Sequence, residues 1–310
     1  MRPCQAAEIR GTYATLLLPV EENDSIDFAR LAEEISLLLN SGVDGIYAHG
    51  TAGEFYALSE DEFDRVNEVL AAACERADMP FQLGAAFPAP AVALQRVRRA
   101  ATLRPSAIQV TLPDWYPPTL AESAAFLERA AEAADGVPLV LYNPPHAKKV
   151  LTPYELERIC DRVPALVGVK VGGGDDAWHQ AMTPLMQRIS VFVPGHALAT
   201  GIAHGAAGSY SNVACLQPEG AARWHRLMHN DMGRALSIER QIQDFMKQSI
   251  LPFREREGFS NMALDKLLAA IGAWAPIGTR LRWPYRGIEE EEVGTLRISA
   301  RREIPFLFED

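Results

Sequence analysis

The sequence lacks the features that mark several large protein classes. Its four cysteines, Cys4, Cys74, Cys160 and Cys215, lie far apart and include no CxxC pair. That spacing speaks against a zinc site or a disulfide framework and fits reduced thiols. No apolar run approaches the ~18 residues of a membrane span. The opening MRPCQAAEIRGTY has no apolar core of the kind a signal peptide carries. A surplus of positive charge is also missing: the formal net charge is −10 over 310 residues, which argues against a nucleic-acid partner. Small anionic ligands stay open, because one pocket can be positive on an acidic protein. No repeat, low-complexity segment or linker divides the chain. With 48% hydrophobic residues, the expectation is a soluble cytoplasmic protein with a large core.

What is present is an alternation. Short β-like runs occur at 12-TYATLLL-18, 45-GIYAH-49, 81-FQLGA-85, 107-AIQVT-111, 138-PLVLYN-143, 166-LVGVKV-171, 190-SVFVP-194 and 207-AGSYS-211. Between them lie helix-like stretches such as 27-DFARLAEEISLLLNSG-42, which Gly42 ends. Ser59, Thr119 and Thr152-Pro153 carry helix-start chemistry. Eight strands alternating with helices predict an α/β fold, the (β/α)8 TIM barrel, over residues 1–229. A doubly wound sheet more often has five or six strands. Residues 230–310 then form a C-terminal helical extension and tail, with helices over 234–250 and 262–274. The tail from 281 has weak periodicity, and its EEEE run reads as a solvated face.

One residue stands out in this frame. Lys170 lies near the C-terminal end of the sixth strand, where barrel active sites sit. Strand alternation sends Leu166, Gly168 and Lys170 inward if Val167, Val169 and Val171 face the helices. An ammonium group there loses water and shifts toward the neutral amine, the form that attacks a ketone to make an imine. The bland alternative is a lysine whose head snorkels out of the barrel mouth. On the fifth strand, the same alternation sends Val140 and Tyr142 inward. Adjacent strands are ~4.8 Å apart, so Tyr142 can serve proton transfer beside Lys170. The glycines of 50-GTAGE-54 let backbone N–H groups around Thr51 and Ala52 turn toward a small anion. No lysine follows, as a phosphate loop of the GxxxxGK[ST] type requires. The 172-GGG-174 run meets Asp175-Asp176, a helix start that disfavours phosphate.

Three motifs in order, GTAGE at 50–54, LYNPP at 141–145 and GVKVGGG at 168–174, resemble the dihydrodipicolinate synthase/N-acetylneuraminate lyase family. The likeness covers roughly residues 10–275 and includes GTYATLLLPV near the start. It implies a barrel with a C-terminal helical part, a homo-oligomer (tetramer or dimer), and no metal or organic cofactor. By this resemblance Lys170 is the imine-forming lysine and Tyr142 the tyrosine beside it. Thr51 and Ala52 hold the carboxylate of pyruvate or another 2-oxo acid; Ala52 offers only its N–H where threonine is common. Gly208-Ser209-Tyr210 matches the eighth-strand segment near the imine, with Tyr210 unusually large for a substrate-lining position.

The departures bear on substrate. Synthases of the family carry an arginine shortly after the YN(x)P motif to grip a second carboxylate. In 142-YNPPHAKKV-150 that place falls on Ala147, or on Lys148 if one residue is gapped. Trp115 and Tyr116 stand where synthases place paired tyrosines. His146 should border the substrate and His49 sits at the mouth, while His196 and His204 cap or pack; no histidine set has metal-ligand spacing. The expectation is a lyase for a 2-oxo acid, of the 2-keto-3-deoxy sugar acid type. The alternatives are a true dihydrodipicolinate synthase and a barrel that binds 2-oxo acids without turnover.

Overall fold

The computed structural model describes residues 4–309. Eight strands form a closed barrel in sequence order: β1 (Gly11–Thr15), β2 (Gly45–Ala48), β3 (Phe81–Gly84), β4 (Ala107–Val110), β5 (Leu139–Asn143), β6 (Leu166–Val171), β7 (Ser190–Pro194) and β8 (Gly208–Ser211). All neighbours are parallel, and β8 closes on β1 with Gly11 opposite Gly208. Helices α1 (Phe28–Asn40), α2 (Glu60–Ala77), α3 (Pro90–Thr102), α4 (Leu120–Ala133), α5 (Pro153–Arg162), α6 (Asp176–Met186) and α7 (Leu198–Ala203) follow the first seven strands. The short α8 (Asn212–Leu216) and then α9 (Pro218–Asn230) follow the eighth. This is the expected (β/α)8 barrel.

Local chemistry accounts for the helix starts. Ser59, Thr119 and Thr152 each make a full capping box with the glutamate three residues on, which satisfies two orphan N–H groups at once. Asp175 accepts from the Trp178 N–H to start α6. After Ser41 caps α1, Gly42 adopts the left-handed conformation that ends a helix without steric penalty.

Beyond the barrel come α10 (Met232–Phe245), a π-helical turn, α11 (Leu251–Glu257) and α12 (Asn261–Gly272). The sequence shows no pattern for the last helix, α13 (Glu291–Glu303). Only Val293 and Ala300 of it are buried, too sparse a stripe to register as amphipathic. Glu289 to Glu292 are exposed, a solvated acidic face as read. One continuous apolar core runs from the barrel helices into α10 and α12. A separate inner cluster of Ile9, Tyr13, Tyr47, Ala107, Val140, Phe192 and Tyr210 fills the barrel.

One inward assignment changes at the base of β6. The β5–β6 register slips between Leu139 and Val140, so that Leu139 faces Leu166 and Val140 faces Gly168. The extra residue at this bulge turns Leu166 to the outer core and Val167 toward the inner cluster, the reverse of simple alternation. Gly168 and Lys170 beyond the bulge keep their inward places, with Tyr142 opposite Lys170.

The barrel seam depends on a missing side chain. A Cβ on Gly208 would lie 2.0 Å from the Gly11 carbonyl oxygen. Gly208→Ala should therefore lower stability by roughly 2 kcal/mol or more. Gly294→Ala, where a Cβ meets nothing within 4 Å on α13, should stabilise by about 0.5–1 kcal/mol. Thermal and urea melts of the two variants check the contrast.

Candidate active site

The site forms at the C-terminal ends of β2, β5, β6 and β8. Lys170 Nζ lies 4.2 Å from the ring centroid of Tyr142, 5.2 Å from that of Tyr210 and 5.4 Å from that of Tyr47. The electron-rich faces of three tyrosines partly replace water around the cation. Withdrawal from water still dominates and lowers the Lys170 ammonium to about 8, against the opposing charge of Asp265. The neutral amine is thereby brought within reach of physiological pH. Burial pushes the Tyr142 phenol above its ordinary value, and a hydrogen bond with Thr51 opposes that rise. Tyr142 remains a neutral hydroxyl, able to give and take a proton.

Thr51 and Ala52 follow β2 in a turn that continues to Glu54, whose φ of 51° is left-handed. There is no room at Gly50 for a side chain, because a Cβ would collide with the Tyr47 hydroxyl. The turn is fixed from below. Glu54 is fully buried and ion-paired with the fully buried Lys266 of α12, at 2.8 Å. Its other oxygen accepts the Arg282 N–H at 2.8 Å, and Arg282 in turn holds Glu62, at the start of α2. Lys266 also donates to the Arg280 carbonyl. Glu34 of α1, wholly buried, accepts the Leu17 N–H at 2.8 Å and lies within the field of Lys266. Burial raises its carboxyl well above the ordinary range.

The remaining sequence candidates divide. Thr51, Tyr142, His146 and Ala147 line one cavity of about 140 Å³, together with Phe55, Phe87, Thr111 and Asp114. Its lining contains no arginine or lysine. Lys148 turns away: its Nζ donates to the Trp115 carbonyl at 2.7 Å, and its N–H to Asp114 at 2.8 Å. Trp115 and Tyr116 stand exposed on the loop after β4. Tyr210 commits its hydroxyl to Gln82 and shows its ring to Lys170, so it walls the lysine and is absent from the cavity lining. His49 is buried and stacks on Phe63 of α2, 4.7 Å between centroids, facing away from the mouth. His196 is held by Asn212, and His204 stacks on His179. A larger cavity, about 680 Å³, lies between α12 and α13 and contains none of these groups.

Sequence reasoning missed Asp265 and Lys266. The signal was a pair of adjacent charges inside the otherwise apolar 262-MALDKLLAAIGAW-274, where a solvated face offers no explanation.

A parallel barrel that presents a desolvated lysine beside a tyrosine at its strand ends is the framework of a class I lyase. The chain belongs to the dihydrodipicolinate synthetase family, whose model matches residues 8–299. A 4-hydroxy-tetrahydrodipicolinate synthase from Thermomicrobium roseum is 29% identical over 239 residues, 76% of this chain and 78% of that protein. An N-acetylneuraminate lyase from Escherichia coli is 27% identical over 172 residues, 55% of this chain and 57% of the lyase. The fold matches that of YagE, an Escherichia coli prophage protein of the dihydrodipicolinic acid synthase family solved with pyruvate. The TM-score is 0.83 at 18% identity, over 95% of this chain and 98% of the other. No helix among the described residues is long and apolar enough to cross a membrane.

Removing one partner of a buried ion pair leaves an uncompensated charge. Lys266→Met should thus destabilise by about 3–5 kcal/mol. The double variant Lys266→Met, Glu54→Leu should recover part of that loss in a double-mutant melt series.

Proposed function

We propose that the protein is a Schiff-base-forming lyase, an aldolase or dehydratase, that acts on a hydroxylated 2-oxo acid of the 2-keto-3-deoxy sugar acid kind. It needs no cofactor: the Lys170 amine attacks the C2 ketone, water leaves, and the resulting imine is the electron sink. Thr51 and the backbone N–H groups at Thr51 and Ala52 receive the substrate carboxylate. Tyr142, opposite Lys170 in register, shuttles protons as the carbinolamine forms and collapses. In cleavage the breaking C3–C4 bond leaves its electron pair on C3, stored as an enamine; in dehydration loss of the C3 proton supplies that pair, and the enamine then expels the C4 hydroxyl as water.

The observation that carries this reading is the Lys170 environment: an inward lysine with a lowered ammonium, against the ring of a neutral tyrosine. Thr51, Thr111, Asp114 and His146 in the adjoining cavity suit a hydroxylated chain. Family membership and the exposed Trp115 and Tyr116 support a homo-oligomer. The buried free thiols of Cys74, Cys160 and Cys215 fit a reducing cytoplasm.

The direct test is borohydride reduction in the presence of pyruvate, followed by peptide mass mapping. Label should sit on the peptide that contains Lys170 and vanish in Lys170→Ala; label elsewhere overturns the assignment. Tyr142→Phe should lower kcat by ~10²–10⁴ with 2-oxo acid binding nearly intact. Near-normal turnover would reduce Tyr142 to packing.

A second reading, synthesis from pyruvate and aspartate semialdehyde, draws support from the Thermomicrobium relative. Against it stands the cavity: by the family resemblance the carboxylate-gripping arginine's place falls on Ala147 or Lys148, and Lys148 is engaged with Trp115. Losing a bidentate charged contact should leave condensation at least ~10²-fold below that of a dedicated synthase. Assays of this aldehyde beside a panel of 2-keto-3-deoxy acids, with products identified, separate the two.

A further inference from the structure

The loops after β4 and β5 are braced against each other at one corner. Asp114 accepts the Lys148 N–H through Oδ1 at 2.8 Å. Lys148 in return donates from Nζ to the Trp115 carbonyl at 2.7 Å, with the ammonium 5.0 Å from the centroid of the Trp115 ring. The brace separates the two charges. Lys148 is engaged on the outer loop and is absent from the lining of the 140 Å³ cavity, whereas Asp114 belongs to that lining. The second carboxylate oxygen of Asp114, Oδ2, takes no hydrogen bond among the described residues.

Nothing else in the lining cancels this carboxylate with an ammonium or a guanidinium. Phe55, Phe87 and Leu112 supply apolar walls. The phenols of Tyr56 and Tyr142 are pushed above their ordinary values by burial and are neutral. Thr111 and His146 add a hydroxyl and an imidazole. A group seated in the cavity therefore meets a braced carboxylate with one acceptor oxygen to spare.

We propose that Asp114 is a specificity-determining residue, which favours a substrate whose distal end is a neutral hydroxyl and turns away one that ends in a carboxylate or a phosphate. The inference deepens the lyase reading given above and rests on it. With C1 at the Thr51–Ala52 turn and C2 on Lys170, the chain beyond C3 passes Tyr142 into this cavity. A terminal hydroxyl then donates to Asp114 Oδ2, a charge-assisted bond. A terminal anion finds no guanidinium fork and is repelled by the same oxygen. Because Asp114 is exposed, water and salt screen that repulsion, and the selection is moderate. A role confined to bracing the loops needs only the Oδ1 acceptor, which asparagine keeps.

The experiment compares two 2-oxo acids that are identical up to C6, 6-hydroxy-2-oxohexanoate and 2-oxoadipate, by cyanoborohydride trapping on Lys170 read by peptide mass mapping. In the unmodified protein the hydroxy acid should reach half-maximal trapping at a roughly five- to tenfold lower concentration. In Asp114→Asn the gap should shrink to about twofold or less. Raising the salt from ~0.05 to ~0.5 M should narrow the gap in the unmodified protein and leave that of the variant nearly unchanged. Equal trapping of the two acids by the unmodified protein, or a full gap retained in Asp114→Asn, overturns the inference. Label from pyruvate but from neither longer acid also overturns it, since the cavity then does not receive the distal chain. In each of these cases the pyruvate label on Lys170 leaves the imine reading standing. Absence of that label overturns the imine reading, and this inference with it.

Discussion

The arrangement at the barrel mouth hangs on the ion pair between Glu54 and Lys266. Neither side chain has any exposed surface, and the two meet at 2.8 Å. Burying both charges carries a desolvation penalty that a single Coulomb contact does not always repay. Here the penalty is spread over additional bonds: Arg282 N–H to Glu54, Lys266 to the Arg280 carbonyl, and Arg282 onward to Glu62. The result joins three segments far apart in sequence, the turn after β2, α12 and the segment before α13. The turn that carries Thr51 and Ala52 is therefore not a free loop on a barrel; it is fixed by the C-terminal extension.

The second constraint is register. Lys170 faces Tyr142 because β5 and β6 recover a common register after the bulge at Leu139–Val140. Gly168 beneath Lys170 leaves only a narrow gap, since a Cβ there would come within 3.1 Å of the Ser190 carbonyl oxygen and 3.3 Å of Val140. The lysine stem rises from that packed floor into the space bounded by three tyrosine rings. Its lowered ammonium is thus a product of the barrel packing as much as of any single neighbour.

The fold was legible because its signals are local. Eight runs of β-type residues and the capping boxes at Ser59, Thr119 and Thr152 can be read from short windows. Lys170 and Tyr142 were legible for the same reason, since alternation counted back from a strand end gives their side. Alternation failed at Leu166 and Val167, where a bulge leaves no mark in composition. The partner of Tyr210 was not legible, because Gln82 lies on β3, 128 positions away. Lys266 escaped because its meaning comes from its ion pair with Glu54, on the turn after β2, a tertiary fact. The two charges inside an apolar helix were visible, but what they faced was not.

Most of the cavity walls and the surroundings of Lys170 are drawn from different parts of the chain. Phe87, Thr111, Asp114, His146 and Ala147 come from the loops after β3, β4 and β5. The lysine, its tyrosine box and the α12 charges lie on β2, β5, β6, β8 and the extension. Tyr142 and the turn after β2, which gives the cavity Thr51, Phe55 and Tyr56, are where the two sets meet. Such a division makes the architecture modular: side chains on three neighbouring loops can be exchanged, by natural drift or by a protein engineer, while Lys170 keeps its surroundings. A single scaffold can in this way be retuned to new ligands without rebuilding the packing around its buried lysine.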